Sequence, residues 1–364
     1  MSRDNHRYGL ILAGGRGTRF WPRSRRKSAK QVLRFLGDRS LIQQTVDRLR
    51  PVIPPERLWI LTNDYLRAEI VRQLPEVPAA QILAEPAQRN TAPAIGLAAH
   101  ILQSIDARAI MGVFPADHMI AKPAAYLNFV RPAFMAAAAG KMVVLGIQPR
   151  WPETGYGYIE FPKGAEAGSR EALPVRRFRE KPEPLAARRF VRAGNFYWNA
   201  GMFFWKTSVL LEALREFLPK TATLLASLPE FASRGFLSKV KRTFPQCENI
   251  SIDYAVLEPA SKTPGRVVGF ATSDFGWNDV GSWNAVYELM PRDESANIFR
   301  GHALVHDSSG NYVDAEGKLV ALLGVKDLVV VDTPDALLIA DRARSQEVGE
   351  LVKKLEKQHR DDLL

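Results

Sequence analysis

Between Tyr8 and Ile147 short apolar runs alternate with longer helical patterns, and no other feature limits the fold so strongly. Tyr8–Ala13, Leu58–Thr62, Gln81–Ala84, Ala109–Phe114 and Met142–Ile147 have the length of buried strands, and Gly, Pro or polar residues follow each. Ser40, a favoured cap, precedes a helical pattern through Leu49; others run from Asp64 to Gln73, from Thr91 to Ile105 and from Pro123 to Ala139. Helices between successive strands make the connections crossovers, so the strands run parallel and the helices cover both faces. The expected class is α/β, with a Rossmann-like mixed, mostly parallel sheet.

After Glu153 the pattern changes. Gly157–Glu160 and Val175–Arg179 are short strands among turns, Phe196–Trp205 is a long aromatic strand, and helices return at Ser208–Phe217 and around Phe231–Lys241. This stretch should complete the sheet and wall the second half of a pocket. From Asn297 the chain is strand-rich, with turns at Asp307–Gly310 and Ala315–Gly317, strands at Leu328–Asp332 and Ala336–Ala340, and an amphipathic helix over Ser345–Lys357. A chain of 364 residues exceeds one ordinary core. The expected division is a main domain over 1–296 and a small β-rich domain with a terminal helix over 297–364.

The single cysteine, Cys247, excludes an intrachain disulfide framework. The start, Met1–Arg7, is polar, and no stretch approaches the ~20 apolar residues of a membrane span. A soluble, cytoplasmic protein without a membrane partner is expected. The net charge is +11, which fits nucleic acid or small polyanions. The densest basic cluster, Arg19 to Arg34, directly follows a glycine turn, a place that suits a phosphate site better than a duplex groove, so no nucleic-acid partner is expected.

The turn itself reads Leu12-Ala13-Gly14-Gly15-Arg16-Gly17-Thr18-Arg19. Glycines let the backbone approach a phosphate chain and aim N–H groups at it, and a helix starting there would add its positive end. Arg19 and Lys30 supply cations. The segment is neither a Walker A loop nor Gly-x-Gly-x-x-Gly; glycine turns alone are common in unrelated α/β proteins, and the arginines and Lys30 downstream favour the phosphate site. Asp117, after the fourth strand, and Asp279, between Trp277 and Trp283, are isolated carboxylates of the kind that hold Mg²⁺ against phosphate oxygens; Asp117 alone is equally well a turn cap. Glu180, Lys181 and Asn199 offer groups that read sugar hydroxyls and a sugar phosphate, and Glu180–Lys181 is as readily an ordinary ion pair. The six histidines have no metal spacing, and no Gly-x-Ser-x-Gly elbow is present.

In order along the chain, Gly14–Arg25 with Lys30-Gln31, Glu85–Pro93, Pro115–His118, Glu180–Pro182, Trp198–Gly201, Ser251–Tyr254 and Asp279–Trp283 resemble the sugar-nucleotide pyrophosphorylases, especially those acting on mannose 1-phosphate. The resemblance implies a nucleotide-diphospho-sugar transferase fold and transfer of GMP from GTP to α-D-mannose 1-phosphate with release of pyrophosphate. It implies Mg²⁺, or another divalent ion, on Asp117 and Asp279. It assigns catalysis to Arg19, Lys30 and Asp117. It assigns the nucleotide to Leu12, Ala13, Gly14, Gly15, Arg16, Gly17, Thr18, Glu85, Asn90, Thr91 and Ala92, and the sugar phosphate to Gly157, Glu180, Lys181 and Asn199. Arg23 stands where relatives are often apolar. Many relatives carry a further C-terminal cupin domain; this chain resembles the short, monofunctional form, with its β-rich tail expected to pair two copies as a homodimer. The alternatives are a sibling enzyme for another base or sugar, and a non-catalytic sugar-nucleotide sensor.

Overall fold

The computed structural model describes residues 6–364. Most of the polar start, Met1–Asn5, lies outside the described residues. The strands are β1 (Arg7–Leu12), β2 (Leu58–Thr62), β3 (Ile82–Ala84), β4 (Ile110–Pro115), β5 (Met119–Ile120), β6 (Met142–Ile147), β7 (Tyr158–Glu160), β8 (Leu173–Pro174), β9 (Arg177–Arg179), β10 (Phe196–Lys206), β11 (Val267–Ala271) and β12 (Trp277–Asn278). Four more form the tail: β13 (Ile298–His306), β14 (Tyr312–Leu323), β15 (Leu328–Asp332) and β16 (Leu337–Asp341).

The main sheet runs β3-β2-β1-β4-β10-β6-β11-β8, with β7 on β10 and β9 on β7. Its first four strands are parallel, as the crossover helices require. The long β10 then enters antiparallel between β4 and β6, so the sheet is mixed at its centre. Helix Leu41–Leu49 starts on a capping box in which Ser40 and Gln43 satisfy each other's backbone N–H groups. Two apolar cores fill the faces of the sheet, one around Leu10, Val113 and Trp205 and the other around Ile11, Phe114 and Phe204. Cys247 is buried in the first, as a small hydrophobe.

Two expectations change. No α-helix starts after the glycine turn; the chain makes only a 3₁₀ turn over Thr18–Phe20, because Trp21-Pro22 leaves helical geometry at once. The turn expected at Ala315–Gly317 does not reverse the chain. β14 runs through it, but the consecutive β13 residues Gly301 and His302 pair with Ala315 and Leu319, so Glu316–Lys318 bulge from the ladder.

The tail sheet, in the order β13-β14-β15-β16, packs on the rest through a third core. That core joins Phe20, Trp21, Phe35 and Trp283 to Ile298, Tyr312, Val329, Leu338 and the apolar face of the terminal helix Val348–Lys357. Among the described residues, no helix is long and apolar enough to cross a membrane.

Candidate active site

Register explains why distant residues meet. Leu12 of β1 pairs with Pro115 of β4, so the glycine turn and Asp117 leave the sheet side by side at its carboxyl edge. Phe203 of β10 pairs with Val113 of β4, and because β10 runs the other way, Asn199 lies just beyond that same edge. The short ladder of β5 and β12 ties Met119 to Asn278, which draws the Asp117 and Asp279 turns together.

Side chains clamp the glycine turn from below. Gln31 Nε2 donates to the carbonyls of Ala13 at 2.6 Å and Gly15 at 3.0 Å, and Ser24 Oγ donates to Gly17 O at 2.7 Å. Gly17 has φ +61°, and its Cα lies so close to Lys30 that a Cβ would stand 2.6 Å from Lys30 Cβ. Only glycine meets both demands. Lys30 is thereby seated with its side chain 8% exposed, its Nζ 2.8 Å from Asp117 Oδ2 and 2.5 Å from Asp279 O. Burial is the largest influence and would raise the Asp117 carboxyl, but the Lys30 ammonium together with the other charge and hydrogen bonds around it holds Asp117 below the usual carboxylate range.

Above the glycine turn a cavity of about 900 Å³ is lined by Leu12, Gly14–Arg19, Glu85, Asn90 and Thr91. Arg19 reaches Gly281 O at 3.4 Å. Burial pushes Glu85 up to about 8. Helix Thr91–Ile105 begins at the cavity, so a positive helix end is present after all, supplied by a different helix. Its first N–H groups are already engaged, Thr91 N by Asn90 Oδ1 and Ala92 N by Ile250 O. Ala92 is fully buried and is not brought to the cavity.

A second cavity of about 370 Å³ holds Asp117, Asp279, Gly157, Glu180 and Asn199, and shares Leu12, Gly15 and Thr91 with the first. A Cβ at Gly157 would collide with Glu180 Oε2, which is buried without a partner. Burial, then the neighbouring Asp253, raise Glu180 to about 7. Asn199 donates to Asp253 Oδ1 at 2.8 Å and accepts from Gly201 N at 3.0 Å. Asp253 also lines the cavity, and burial raises its carboxyl too. Lys181 stays outside the wall, exposed, with Nζ 3.7 Å from Glu180.

Three residues at this cavity had no assigned role. Asp253 stood in a recognised motif, but nothing local pointed it at Asn199. Tyr156 hydrogen-bonds Asp279, and burial followed by that carboxylate raises its hydroxyl strongly. His118 accepts at Nδ1 from Trp277 Nε1 at 3.2 Å, and burial drives it down to about 4, so it is neutral with its proton on Nε2.

Part of the basic cluster serves another purpose than the sequence implies. Arg23 forms a fork on the buried Asp314 of β14, Arg25 pairs with Asp335 at 2.8 Å, and Arg26 with Asp361 at 2.9 Å. These arginines fasten the tail, which gives the charge at position 23 a partner.

Among the described residues no three His, Cys, Asp or Glu side chains gather as a metal cage. Asp117 and Asp279 facing one cavity are two carboxylates, the number Mg²⁺ takes from protein when phosphate oxygens and water complete its shell. The donor set fits that ion.

Residues 8–296 match the nucleotidyl transferase family, and residues 301–355 match the MannoseP isomerase/GMP-like beta-helix domain. Mannose-1-phosphate guanylyltransferase of Klebsiella pneumoniae is 38% identical over 97% of this chain and 74% of its own length. The Salmonella typhimurium protein of the same name is 41% identical, over 98% of this chain and 74% of its own. A crystal structure from Thermus thermophilus, described as a mannose-1-phosphate geranyltransferase, superimposes with a TM-score of 0.83 at 32% identity, covering 96% of this chain and 99% of that one. This chain is a nucleotidyltransferase enzyme, and it belongs to the nucleotidyl transferase family among the mannose-1-phosphate guanylyltransferases.

Proposed function

We propose that this chain transfers GMP from GTP to α-D-mannose 1-phosphate, forming GDP-mannose and pyrophosphate. One observation supports the reading: the glycine-turn cavity and the Glu180–Asn199 cavity share Leu12, Gly15 and Thr91, and Asp117, the partner of Lys30, lines the second of them. A phosphate oxygen of the sugar phosphate attacks the α-phosphorus, and the bond from that phosphorus to the β-phosphate oxygen breaks. The nucleophile is already ionised, so no general base is required. The task is to bring two anions together in line and stabilise the charge that spreads over the α-phosphate.

The backbone of Gly14–Thr18 cradles the triphosphate, and Arg19 steadies its outer phosphates. Lys30 donates to both the α-phosphate and the incoming phosphate. Glu85 accepts from the base, with Asn90 and Thr91 beside it. Unpartnered Glu180 Oε2 and Asn199 read sugar hydroxyls in the second cavity. Asp117 and Asp279 would hold Mg²⁺, which offsets phosphate charge when bound. Two copies pair through the tail sheet, which leaves Leu304, Leu319, Leu323 and Ile339 exposed, and the enzyme works in the cytoplasm.

The test is pyrophosphate release with Mg²⁺ and mannose 1-phosphate, supplied with GTP, ATP, UTP, CTP or dTTP in turn. Turnover confined to GTP supports the reading. Turnover only with another nucleotide, or only with another sugar 1-phosphate, overturns it.

A further inference from the structure

The terminal helix belongs to the tail, yet it forms one wall of the nucleotide cavity. Gly349, Lys353 and Glu356 recur at helical spacing and, with Gln346 just before the helix, line that cavity together with Arg16 and Thr18. On the adjoining face Val348 and Val352 are locked into the core with Phe20 and Trp21, and Val352 also reaches the cavity wall. The wall is therefore fixed, not a swinging lid. From it Glu356 Oε1 meets Arg16 Nη2 at 2.5 Å, across 340 residues of sequence. A third cavity, of about 450 Å³ beside Asn63, Tyr65 and Glu85, also has Arg16 and Glu356 in its wall. The ion pair thus stands between two cavities that share Gly14, Glu85 and Gln88.

Both side chains are partly exposed, so the pair does little for stability. Its effect is on where the guanidinium lies. Arginine carries five N–H donors in a rigid fork, and the pair engages Nη2. The remaining donors stay available over the glycine turn. Without Glu356 a long side chain at position 16 samples many rotamers, and a nucleotide must order it on binding. A carboxylate at this wall would by itself repel a triphosphate, and Arg16, interposed, neutralises it.

We propose that Glu356 is a positioning residue for the nucleotide: it holds Arg16 of the glycine turn in place to bind the triphosphate, so that the tail contributes to substrate affinity. The inference rests on the GTP reading above. Glu356→Gln should raise KM for GTP about 3- to 10-fold, the loss expected when one charge-assisted contact is disordered. Its kcat and its KM for mannose 1-phosphate should stay within about twofold, since the reacting groups are untouched. Glu356→Asp should recover part of the loss.

Each variant is assayed beside the wild type, with its thermal midpoint and with calorimetric titration of GTP. An unchanged or lowered KM for GTP in Glu356→Gln overturns the proposal alone. So does a uniform loss in both KM values and kcat with a lowered midpoint, which marks the helix as merely structural. If the wild-type protein neither binds nor turns over GTP, the functional reading fails and the inference falls with it.

Discussion

Gly17→Ala tests whether the glycine turn and Lys30 form one mechanical unit. A methyl at this position meets two penalties. The left-handed backbone at φ +61° costs a non-glycine residue about 1–2 kcal/mol. The new Cβ would stand 2.6 Å from Lys30 Cβ and 2.8 Å from Lys30 N, and forced overpacking of this kind costs about 1–3 kcal/mol. Together the destabilisation should be roughly 2–5 kcal/mol. Relief requires Lys30 to retreat by roughly 1 Å, a displacement that can cost on the order of 10²-fold in rate. Gly15 is the control. Its backbone lies outside the left-handed region, and a Cβ there meets nothing within 4 Å. Gly15→Ala should therefore leave stability intact and raise KM for GTP, since the methyl enters the path of the phosphates. Urea midpoints and steady-state kinetics on both variants decide the matter. A Gly17→Ala protein with wild-type midpoint, or a folded one with wild-type kcat, would refute the coupling.

Lys30→Ala should lower kcat by about 10²–10³, as for loss of a donor to developing charge, and a near-normal rate in folded protein would remove Lys30 from the chemistry. Glu85 is raised in the fold from 4.5 to about 8. Below pH 4.5 neither state ionises it; between about 4.5 and 8 the unfolded chain releases its proton first, so nucleotide-free stability falls as pH rises. Glu85→Gln should remove that slope, seen as a midpoint advantage over wild type that grows across this window and is absent below it; a pH-independent difference would contradict the burial argument. A chelator should abolish turnover yet leave the nucleotide-free thermal midpoint within about 2 °C, because two carboxylates alone bind Mg²⁺ weakly. A large fall in midpoint would reveal a structural metal.

What the sequence disclosed, and what it hid, divides by the range of the interaction. β1 and its turn were legible because six residues carry the apolar run and the glycines follow at once. Asp117 was legible for the same reason, as the first carboxylate after a buried strand. The ladder that sets Asp279 beside it depends on Met119 pairing with Asn278, which no local pattern records. Asp253 and Asn199 are 54 positions apart, and their contact exists only because β10 enters the sheet backwards. Arg23, Arg25 and Arg26 lay in a basic cluster whose place suited a phosphate site, because charge has no direction in a sequence. Their partners Asp314, Asp335 and Asp361 became visible only once the tail was folded.

The third core means that the seam between the two sequence-defined parts is not a seam in packing. A chain cut after Ala296 would uncover Phe20, Trp21 and Trp283 together. Aromatic side chains bury about 150–250 Å² each, so the scar would expose on the order of 500 Å², as large as the stickiest natural patches of monomers. The fragment would carry every acidic and basic group assigned to phosphate chemistry and still fail as a reagent, by clumping. For anyone grafting this enzyme onto another protein, the practical unit of inheritance extends through the last helix.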